Sequence, residues 1–185
     1  MPLTKMKFRE NCLKKIKNIP TCNKYYRDAM INRYLLKELS SLRSKKILFY
    51  YPLGFEVDIR KTLTQMRINN DVFIPFMQNK SFKVVPFRLP LKKKKFGIFE
   101  AGNTIRNINK IDIAIVPIIG VDGKLQRVGF GKGMYDRFFA KLKKRPYTIF
   151  IQPEICFTKK LICDDYDITC DILLTPKVRL ENRKR

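Results

Sequence analysis

The residues whose types and spacing best suit ligand chemistry lie between positions 126 and 137. Three glycines alternate there with other residues, and charged residues lie on both sides. This segment reads QRVGFGKGMYDR. Glycine lets the backbone approach a ligand closely, and Arg127 and Lys132 bring positive charge to the same place. The pattern predicts an anion-binding loop, which we call the glycine loop (residues 129–133).

Spacing alone does not separate a ligand-binding loop from a tight turn. Neither the GxxxxGK[ST] spacing nor the GxGxxG spacing is present, and a turn from strand to helix would use the same glycines. The neighbouring residues favour a ligand. Phe130 and Tyr135 offer flat apolar surface, and Asp136 is suited to holding a divalent cation against phosphates.

The flanking segments predict where this loop lies in the fold. Residues 111–119 form an apolar run typical of a buried strand, and residues 134–142 have the period of an amphipathic helix. The loop would therefore connect a strand to a helix N-terminus. In an α/β fold, this is where ligands bind.

The rest of the chain alternates helical and strand-like segments. Helices are predicted over residues 5–17, 21–42 and 59–66, and strands over residues 46–51, 72–74 (ended by Pro75), 81–87, 112–117, 147–151 and 170–174. This alternation predicts an α/β fold with a mainly parallel central sheet and helices on both faces. We expect one domain over residues 1–178, a loop with a basic patch over residues 89–109, and a disordered basic tail over residues 179–185.

Composition restricts both location and chemistry. No apolar run reaches the ~18 residues that cross a bilayer, so we expect a cytoplasmic protein without membrane contact. The chain has five cysteines without CxxC spacing and no histidine. This excludes Ser-His-Asp and Cys-His catalysis and predicts reduced, mostly buried thiols. Carboxylates, basic groups, tyrosine, backbone N–H groups or a metal must therefore perform any chemistry.

The formal charge of +24 would attract nucleic acid, nucleotides and other polyanions. The lysines are spread along the chain, and only residues 92–95 form a dense run. For most of them, we favour a solvated basic surface over a dedicated nucleic-acid-binding face.

A longer stretch of sequence carries a family resemblance. The run DIAIVP (residues 112–117), the pair Gly120 and Asp122, and the run RVGFGKGMYDR (residues 127–137) resemble the signature of 5-formyltetrahydrofolate cyclo-ligase, which is close to RLGxGxGYYDR. The resemblance extends from about residue 5 to residue 174 and includes KMKFR at residues 5–9. Met134 stands where the family pattern has its first tyrosine.

The resemblance implies a three-layer cyclo-ligase-like fold, related to the NagB, RpiA and CoA-transferase folds. It implies an ATP- and Mg²⁺-dependent ring closure that converts 5-formyltetrahydrofolate to 5,10-methenyltetrahydrofolate, ADP and phosphate, in which the formyl oxygen accepts the γ-phosphoryl group. Phosphoryl transfer depends on positioning and charge neutralisation, so a chain without histidine can perform it. We expect a monomer without an obligatory protein partner, whose substrate carries one or several glutamates and whose basic surface binds polyanions nonspecifically.

Carried over position by position, the resemblance assigns four sets of residues. The catalytic set is Arg127, Lys132 and Tyr135. The ATP-binding set is Lys5, Met6, Lys7, Phe8, Arg9, Arg127, Val128, Gly129, Phe130, Gly131, Lys132, Gly133, Met134 and Tyr135. The substrate-binding set is Tyr51, Glu56, Phe130, Met134 and Tyr135, and the metal ligands are Asp136 and Asp167.

Other interpretations remain open at this point. Lys5 and Arg9 could form a solvated helix face, Asp167 could cap a turn, and Glu56 could pair with any lysine. Two other functions compete with the cyclo-ligase hypothesis. One is a nucleic-acid- or ribosome-associated protein, and the other is a different ATP-dependent small-molecule ligase on the same fold.

Overall fold

A computed structural model describes residues 3–78, 81–94, 97–105 and 108–182 of the chain. The helices are α1 (Lys5–Lys17), α2 (Thr21–Leu39), α3 (Arg60–Met66) and α4 (Met134–Phe139). The longer strands are β1 (Lys46–Leu48), β2 (Asp71–Gln78), β3 (Ser81–Pro86), β6 (Ile113–Pro117), β9 (Tyr147–Ile151), β10 (Ile172–Leu174) and β11 (Arg179–Glu181). Two short ribbons complete the set: β4 (Lys92–Lys93) with β5 (Phe99–Glu100), and β7 (Gly120–Val121) with β8 (Arg127–Val128).

The long strands form one sheet in the order β11-β10-β9-β6-β1-β2-β3. The pairs from β10 through β9, β6 and β1 to β2 are parallel, and the edge strands β11 and β3 are antiparallel to their neighbours. The central strands are continuous apolar runs because both faces of the sheet are covered. The predicted mainly parallel sheet is confirmed.

Successive side chains of each strand point to opposite faces of the sheet, so the apolar core is divided between the two faces. One face packs Ile47, Ile113, Ile115, Ile149 and Leu174 against α2 and α3. The other packs Leu48, Ala114, Val116, Phe150 and Leu173 against α4. The predicted arrangement of helices on both faces is therefore confirmed, and the fold has three layers.

Helix α1 packs at the end of the sheet where the parallel strands finish. Its buried Phe8, Cys12 and Ile16 contact Ile119 and Val128. Cys12 forms a disulfide with Cys156, which follows β9. The prediction that all cysteines are reduced thiols is wrong for this pair. The two residues are 144 positions apart, so only the tertiary fold brings them together.

Three further predictions are corrected. Strand β2 continues through Pro75, because the flanking residues Ile74 and Phe76 still pair with β3. The region 89–109, predicted as loop, contains the β4–β5 ribbon. The tail predicted to be disordered from Arg179 begins as the edge strand β11, whose Leu180 packs against the core. The last part of that predicted tail, residues 183–185, lies outside the described residues.

Within the described ranges, no helix is both long enough and apolar enough to cross a membrane.

A buried asparagine joins α2 to the segment that leads into α3. The Asn32 amide donates to the carbonyl oxygens of Asp28 and Asp58, both at 2.7 Å. Its oxygen accepts hydrogen bonds from the Thr62 amide at 3.2 Å and the Thr62 hydroxyl at 2.6 Å. Because these partners are largely shielded from water, Asn32 fixes the segment that follows Glu56.

We predict that Asn32→Leu lowers the free energy of unfolding by about 2–4 kcal/mol, because it leaves several buried polar groups without partners. Urea denaturation measures this change. Asn23→Leu is the matched control, since Asn23 is exposed on the same helix and the change in helix propensity is the same. Equal destabilisation by the two substitutions would contradict the assigned role.

Candidate functional site

The glycine loop lies at the edge of the sheet where the parallel strands end. Strand β6 ends at Pro117, and the β7–β8 ribbon separates it from the loop. The expected direct connection from strand to helix is thus lengthened by a hairpin. Gly131 and Gly133 have φ of +93° and +56°, which favours glycine over other residues. Helix α4 begins immediately after the loop.

Arg127 forms the floor of the loop and is 6% exposed. Its Nε and Nη2 atoms donate to the Pro117 carbonyl oxygen at 3.3 and 3.2 Å. Nη1 lies 3.7 Å from Asp136 Oδ2, and the guanidinium carbon lies 4.9 Å from the centre of the Tyr135 ring. Burial lowers the pKa of Arg127, and the nearby Asp136 opposes that shift. The guanidinium is therefore a desolvated cation in a fixed position, which suits it to stabilising negative charge that develops on a ligand.

One carboxylate, Asp136, lies beside this arginine, and a second, Asp167, lies in the segment that Asp136 contacts. Asp136 projects from the first turn of α4, and its Oδ1 accepts a hydrogen bond from the Ile168 amide at 3.3 Å. Asp167, the preceding residue, is buried. The structure therefore brings the Asp136 side chain against the segment that contains Asp167, which lies 31 positions further along the sequence. Within the described part of the chain, no group of three or more potential metal-binding side chains occurs.

Helix α1 contributes two cations to the same edge. Lys5 donates to Asp167 and, at 3.2 Å, to Asp164. Burial tends to lower the pKa of Lys5, but these two hydrogen bonds outweigh it and raise the pKa. Arg9 Nε donates to the Gly129 carbonyl oxygen at 2.7 Å. The interpretation of Lys5 and Arg9 as a merely solvated helix face does not fit these contacts.

Glu56 lies on the segment between β1 and α3. Its Oε2 accepts a hydrogen bond from the Leu53 amide at 2.9 Å, and Lys24 Nζ donates to its carbonyl oxygen at 2.9 Å. Burial raises the pKa of the Glu56 carboxyl to about 7, although Arg127 and Lys24 act in the opposite direction. This carboxyl therefore titrates near neutrality.

Aromatic and apolar side chains frame the loop. Phe130 is 40% exposed, and its ring centre lies 5.1 Å from that of Phe55. Tyr135 is buried and makes an edge contact with Phe82 at 5.0 Å. Met134 is half-buried and packs against the same apolar cluster as Tyr135. Burial raises the pKa of Tyr135, so this residue is a neutral phenol at physiological pH.

Tyr51 lies in a separate aromatic group. Its ring centre is 5.4 Å from that of Phe99 and 6.4 Å from that of Phe87. Of the substrate-binding residues predicted, Tyr51 alone contacts the β4–β5 ribbon through its ring in the described part of the chain.

The remaining predicted residues differ in what their side chains can reach. Phe8 and Val128 are buried in the apolar cluster beneath α1, so their side chains support the loop from below. Met6, Lys7 and Lys132 are exposed. The Lys132 carbonyl oxygen accepts a hydrogen bond from Arg137, which closes the turn into α4.

Several residues at the site were not predicted. Asp164 pairs with Lys5, Gln126 Nε2 donates to the Asp164 and Asp167 carbonyl oxygens, and the Phe55 ring contacts that of Phe130 at a tilted angle. Gln126 immediately precedes Arg127, and Asp164 belongs to the acidic run DDYD (residues 164–167) in a chain with few acids. The position of Gln126 next to Arg127 and the place of Asp164 in an acidic run could have indicated these two residues from the sequence. Nothing in the sequence indicated Phe55.

A family model described as the 5-formyltetrahydrofolate cyclo-ligase family matches residues 3–176. The chain belongs to the 5-formyltetrahydrofolate cyclo-ligase family. The match runs from the start of α1 to the end of β10, so it includes both Lys5 and Asp167.

Individual cyclo-ligases support this assignment. The 5-formyltetrahydrofolate cyclo-ligase of Mycoplasma pneumoniae is 26% identical over 178 residues, covering 93% of this chain and 98% of that protein. The one from Haemophilus influenzae is 24% identical over 129 residues, covering 65% and 69%. The fold is similar to the NMR structure of Aquifex aeolicus 5,10-methenyltetrahydrofolate synthetase, with a TM-score of 0.81, 24% identity and coverage of 99% and 95%. The Mycoplasma pneumoniae synthetase structure has a TM-score of 0.72, 23% identity and coverage of 94% and 99%.

We predict that Gly129→Ala displaces Arg127. A Cβ at Gly129 would lie 2.2 Å from Arg127 Nη1 and 2.5 Å from its guanidinium carbon. The guanidinium is buried and bonded to Pro117, so moving it leaves a charge with poorer partners. The free energy of unfolding should fall by about 1–3 kcal/mol, which chemical denaturation measures.

Gly102→Ala is the control, because a Cβ at Gly102 meets no atom within 4 Å. That substitution should change stability by less than about 0.5 kcal/mol. If Gly129→Ala is as mild as the control, Arg127 is not held in the position described.

Proposed function

We propose that the protein converts 5-formyltetrahydrofolate and ATP to 5,10-methenyltetrahydrofolate, ADP and phosphate. The γ-phosphoryl group passes to the formyl oxygen, the second folate nitrogen attacks the activated carbon, and phosphate leaves as the ring closes. Family membership supports the overall reaction. The observation that supports the phosphoryl step is Arg127, a buried guanidinium held beneath a glycine loop and beside the Asp136 carboxylate.

Arg127, Lys132 and Tyr135 are the proposed catalytic residues. A loose phosphoryl-transfer transition state spreads negative charge over the equatorial oxygens, and fixed cations stabilise it more than they stabilise the ground state. Arg127 is already desolvated, so little reorganisation is needed at that moment. Lys132 projects from the exposed part of the loop, and Tyr135 supports the guanidinium from below.

Lys5, Arg9 and the backbone of the glycine loop are proposed to hold the ATP phosphates. Arg9 is tied to the loop through the Gly129 carbonyl oxygen, so helix and loop would act as one unit. Met6 and Lys7 are exposed beside Lys5, and Phe8 and Val128 hold the helix and the loop on the sheet. The exposed backbone at Gly131 brings N–H groups close to a phosphate without a side chain between them.

Asp136 and Asp167 are the proposed Mg²⁺ ligands. Mg²⁺ is commonly held by one or two carboxylates together with substrate phosphates and water, and this pair of acids fits that donor set. The ion would neutralise phosphate charge during transfer. In the structure these carboxylates are near Arg127 and Lys5 respectively, which are the cations proposed to meet the phosphates.

The folate is proposed to bind between Glu56 and Tyr51 on one side and, on the other, Phe130 of the glycine loop with Met134 and Tyr135 of α4. The pteridine edge presents N–H donors, which a carboxylate accepts well. Phe130 remains partly exposed and Phe55 supports its ring, so it can pack against a flat ligand. We further propose that the protein acts in the cytoplasm as a monomer without an obligatory partner, because one chain supplies all of these residues.

We predict that saturating 5-formyltetrahydrofolate, ATP and Mg²⁺ produce the absorbance of the methenyl product with the wild-type protein. Arg127→Ala should lower kcat/KM by about 10²–10³-fold, because it removes a preorganised charge. Asp136→Asn should raise the Mg²⁺ concentration needed for half-maximal rate.

Arg145→Ala is the matched control. Arg145 is likewise ion-paired, although it is only partly buried, and its partners are Asp171 and the Thr169 carbonyl oxygen rather than the glycine loop. Its substitution should change kcat/KM by less than about threefold in the folded fraction, within ordinary mutational scatter. Absence of product with the wild-type protein would contradict the proposed reaction. RNA binding that survives Arg127→Ala in such an inactive protein would favour the nucleic-acid hypothesis.

We predict that kcat/KM for the folate rises as pH increases through about 7, the pKa to which burial raises Glu56. The sign follows because the carboxyl is ionised above its pKa, and only the ionised form accepts hydrogen bonds at both oxygens. The pH dependence of kcat/KM reports groups of the free enzyme. Glu56→Gln should remove this rise and lower kcat/KM at pH 8. An unchanged profile in that variant would exclude Glu56 as its origin.

A further inference from the structure

The Cys12–Cys156 disulfide joins the helix that carries two of the proposed ATP-binding cations to the chain that follows β9. On α1, Lys5, Phe8, Arg9 and Cys12 occupy positions i, i+3, i+4 and i+7, which lie on one face of a helix. At about 1.5 Å per residue, Cys12 is about 4.5 Å along the helix axis from Arg9 and about 10 Å from Lys5. The bond therefore fixes the helix within two turns of both cations.

The other end of the disulfide is held to the ribbon that carries Arg127. The Cys156 amide donates to Gln152 Oε1 at 3.2 Å, and its carbonyl oxygen accepts a hydrogen bond from the Val121 amide at 3.0 Å. Val121 lies in β7, directly opposite Arg127 in β8. Gln152 is itself buried and donates to the Ile119 carbonyl oxygen at 2.6 Å. The disulfide thus relates α1 to the backbone of the buried arginine.

The polar attachments of α1 use groups that a bound nucleotide would recruit. Lys5 pairs with Asp164 and Asp167, and Arg9 donates to the Gly129 carbonyl oxygen. Under the proposed function, Lys5 would turn to a phosphate and Asp167 to Mg²⁺, so their ion pair would be exchanged when ATP binds. The apolar cluster beneath α1 is smaller than either cluster that covers the sheet. Of these attachments only the disulfide is covalent, and ATP binding leaves it in place.

We propose that the Cys12–Cys156 disulfide positions Lys5 and Arg9 for the ATP phosphates, so that its reduction by a dithiol weakens ATP binding more than folate binding. This proposal rests on the proposed function. Cations held in fixed places bind a ligand without a further ordering cost, whereas a loosened helix must be ordered by the ATP itself. Glu56, proposed for the folate, lies between β1 and α3, and its carboxylate is hydrogen-bonded within its own segment.

Reduction transfers two electrons and two protons to the two cysteines. One thiolate of the dithiol attacks a sulfur of the disulfide, the S–S bond breaks, and a mixed disulfide forms. The second thiolate of the reagent then displaces the remaining cysteine, so the reagent ends as a cyclic disulfide and the protein as two thiols. A surface groove of about 750 Å³, lined by both cysteines with Asn11, Lys14 and Ile155, gives a small reagent a route to the bond. In the cytoplasm, where the protein is proposed to act, such bonds are usually transient or redox-sensing.

The test compares the protein with the bond formed and after treatment with dithiothreitol. Alkylation in denaturant and mass measurement should count three thiols before treatment, on Cys22, Cys163 and Cys170, and all five cysteines after it. Calorimetry with a non-hydrolysable ATP analogue and Mg²⁺ should give a dissociation constant about 5–10-fold higher in the reduced protein. The dissociation constant for 5-formyltetrahydrofolate, and kcat at saturating ATP, should change by less than about twofold. The KM for ATP should rise with the dissociation constant.

Hydrogen exchange separates positioning from general stability. On reduction, amide exchange should become about tenfold faster across α1 and stay unchanged in β6 and β9. Cys12→Ala should bind the ATP analogue as weakly as the reduced protein, with or without dithiothreitol. Cys22→Ala is the matched control, because Cys22 is an exposed free thiol on α2, and this variant should respond to dithiothreitol as the wild type does.

Five thiols after oxidation with a small-molecule disulfide would overturn the proposal. So would equal affinity for the ATP analogue before and after reduction, or equal weakening of ATP-analogue and folate binding with faster exchange throughout the sheet. Weaker ATP-analogue binding on reduction, in a protein that forms no methenyl product, would support the positioning role and contradict the proposed reaction.

Discussion

A guanidinium with little access to water lies beneath the glycine loop, and the structure around it compensates that charge. A buried cation without partners is strongly destabilising, so Arg127 needs the Pro117 carbonyl oxygen, the Asp136 carboxylate and the Tyr135 ring. Those partners come from β6 and α4, on either side of the loop. Position 129 must be glycine because the guanidinium occupies the space that a Cβ would need. One buried charge thereby relates the end of a strand, a loop and a helix start.

How close each site residue lies to Arg127 in the sequence explains which parts of the site could be predicted. Arg127, the glycines and Asp136 lie within ten residues, so their spacing together with the charged and aromatic residue types around the glycines indicated anion binding. Only the family resemblance predicted Lys5, Glu56 and Asp167 as site residues, because no local sequence pattern connects positions so far apart. The contact between Lys5 and Asp164 and the tilted ring contact between Phe55 and Phe130 depend on tertiary packing. No periodicity in the sequence could reveal them.

The fold shows a similar division. The central strands were predictable because burial on both faces requires continuous apolar runs, as in residues 147–151. The β4–β5 ribbon and β11 were missed because their strands are short and polar, and pairing with a neighbour stabilises them. The prediction that the strand ends at Pro75 was wrong for a related reason. The residues on either side of Pro75 pair with β3 in antiparallel fashion, so the strand continues although proline has no N–H group to donate. The Cys12–Cys156 disulfide likewise depends on α1 packing over the chain after β9.

Net charge and local charge carry different information in this protein. A formal charge of +24 draws every anion toward the surface, and salt screens that attraction beyond about 10 Å. Discrimination between anions requires cations held at defined places. Arg127 and Lys5 are each held beside a carboxylate. If a phosphate approached together with a divalent cation, the phosphate would pair with Arg127 and Lys5, and the divalent cation would replace them as the partner of the carboxylates. Under the proposed function, such an exchange would favour a metal-bound phosphate over a bare anion, because a bare anion would leave Asp136 and Asp167 facing negative charge.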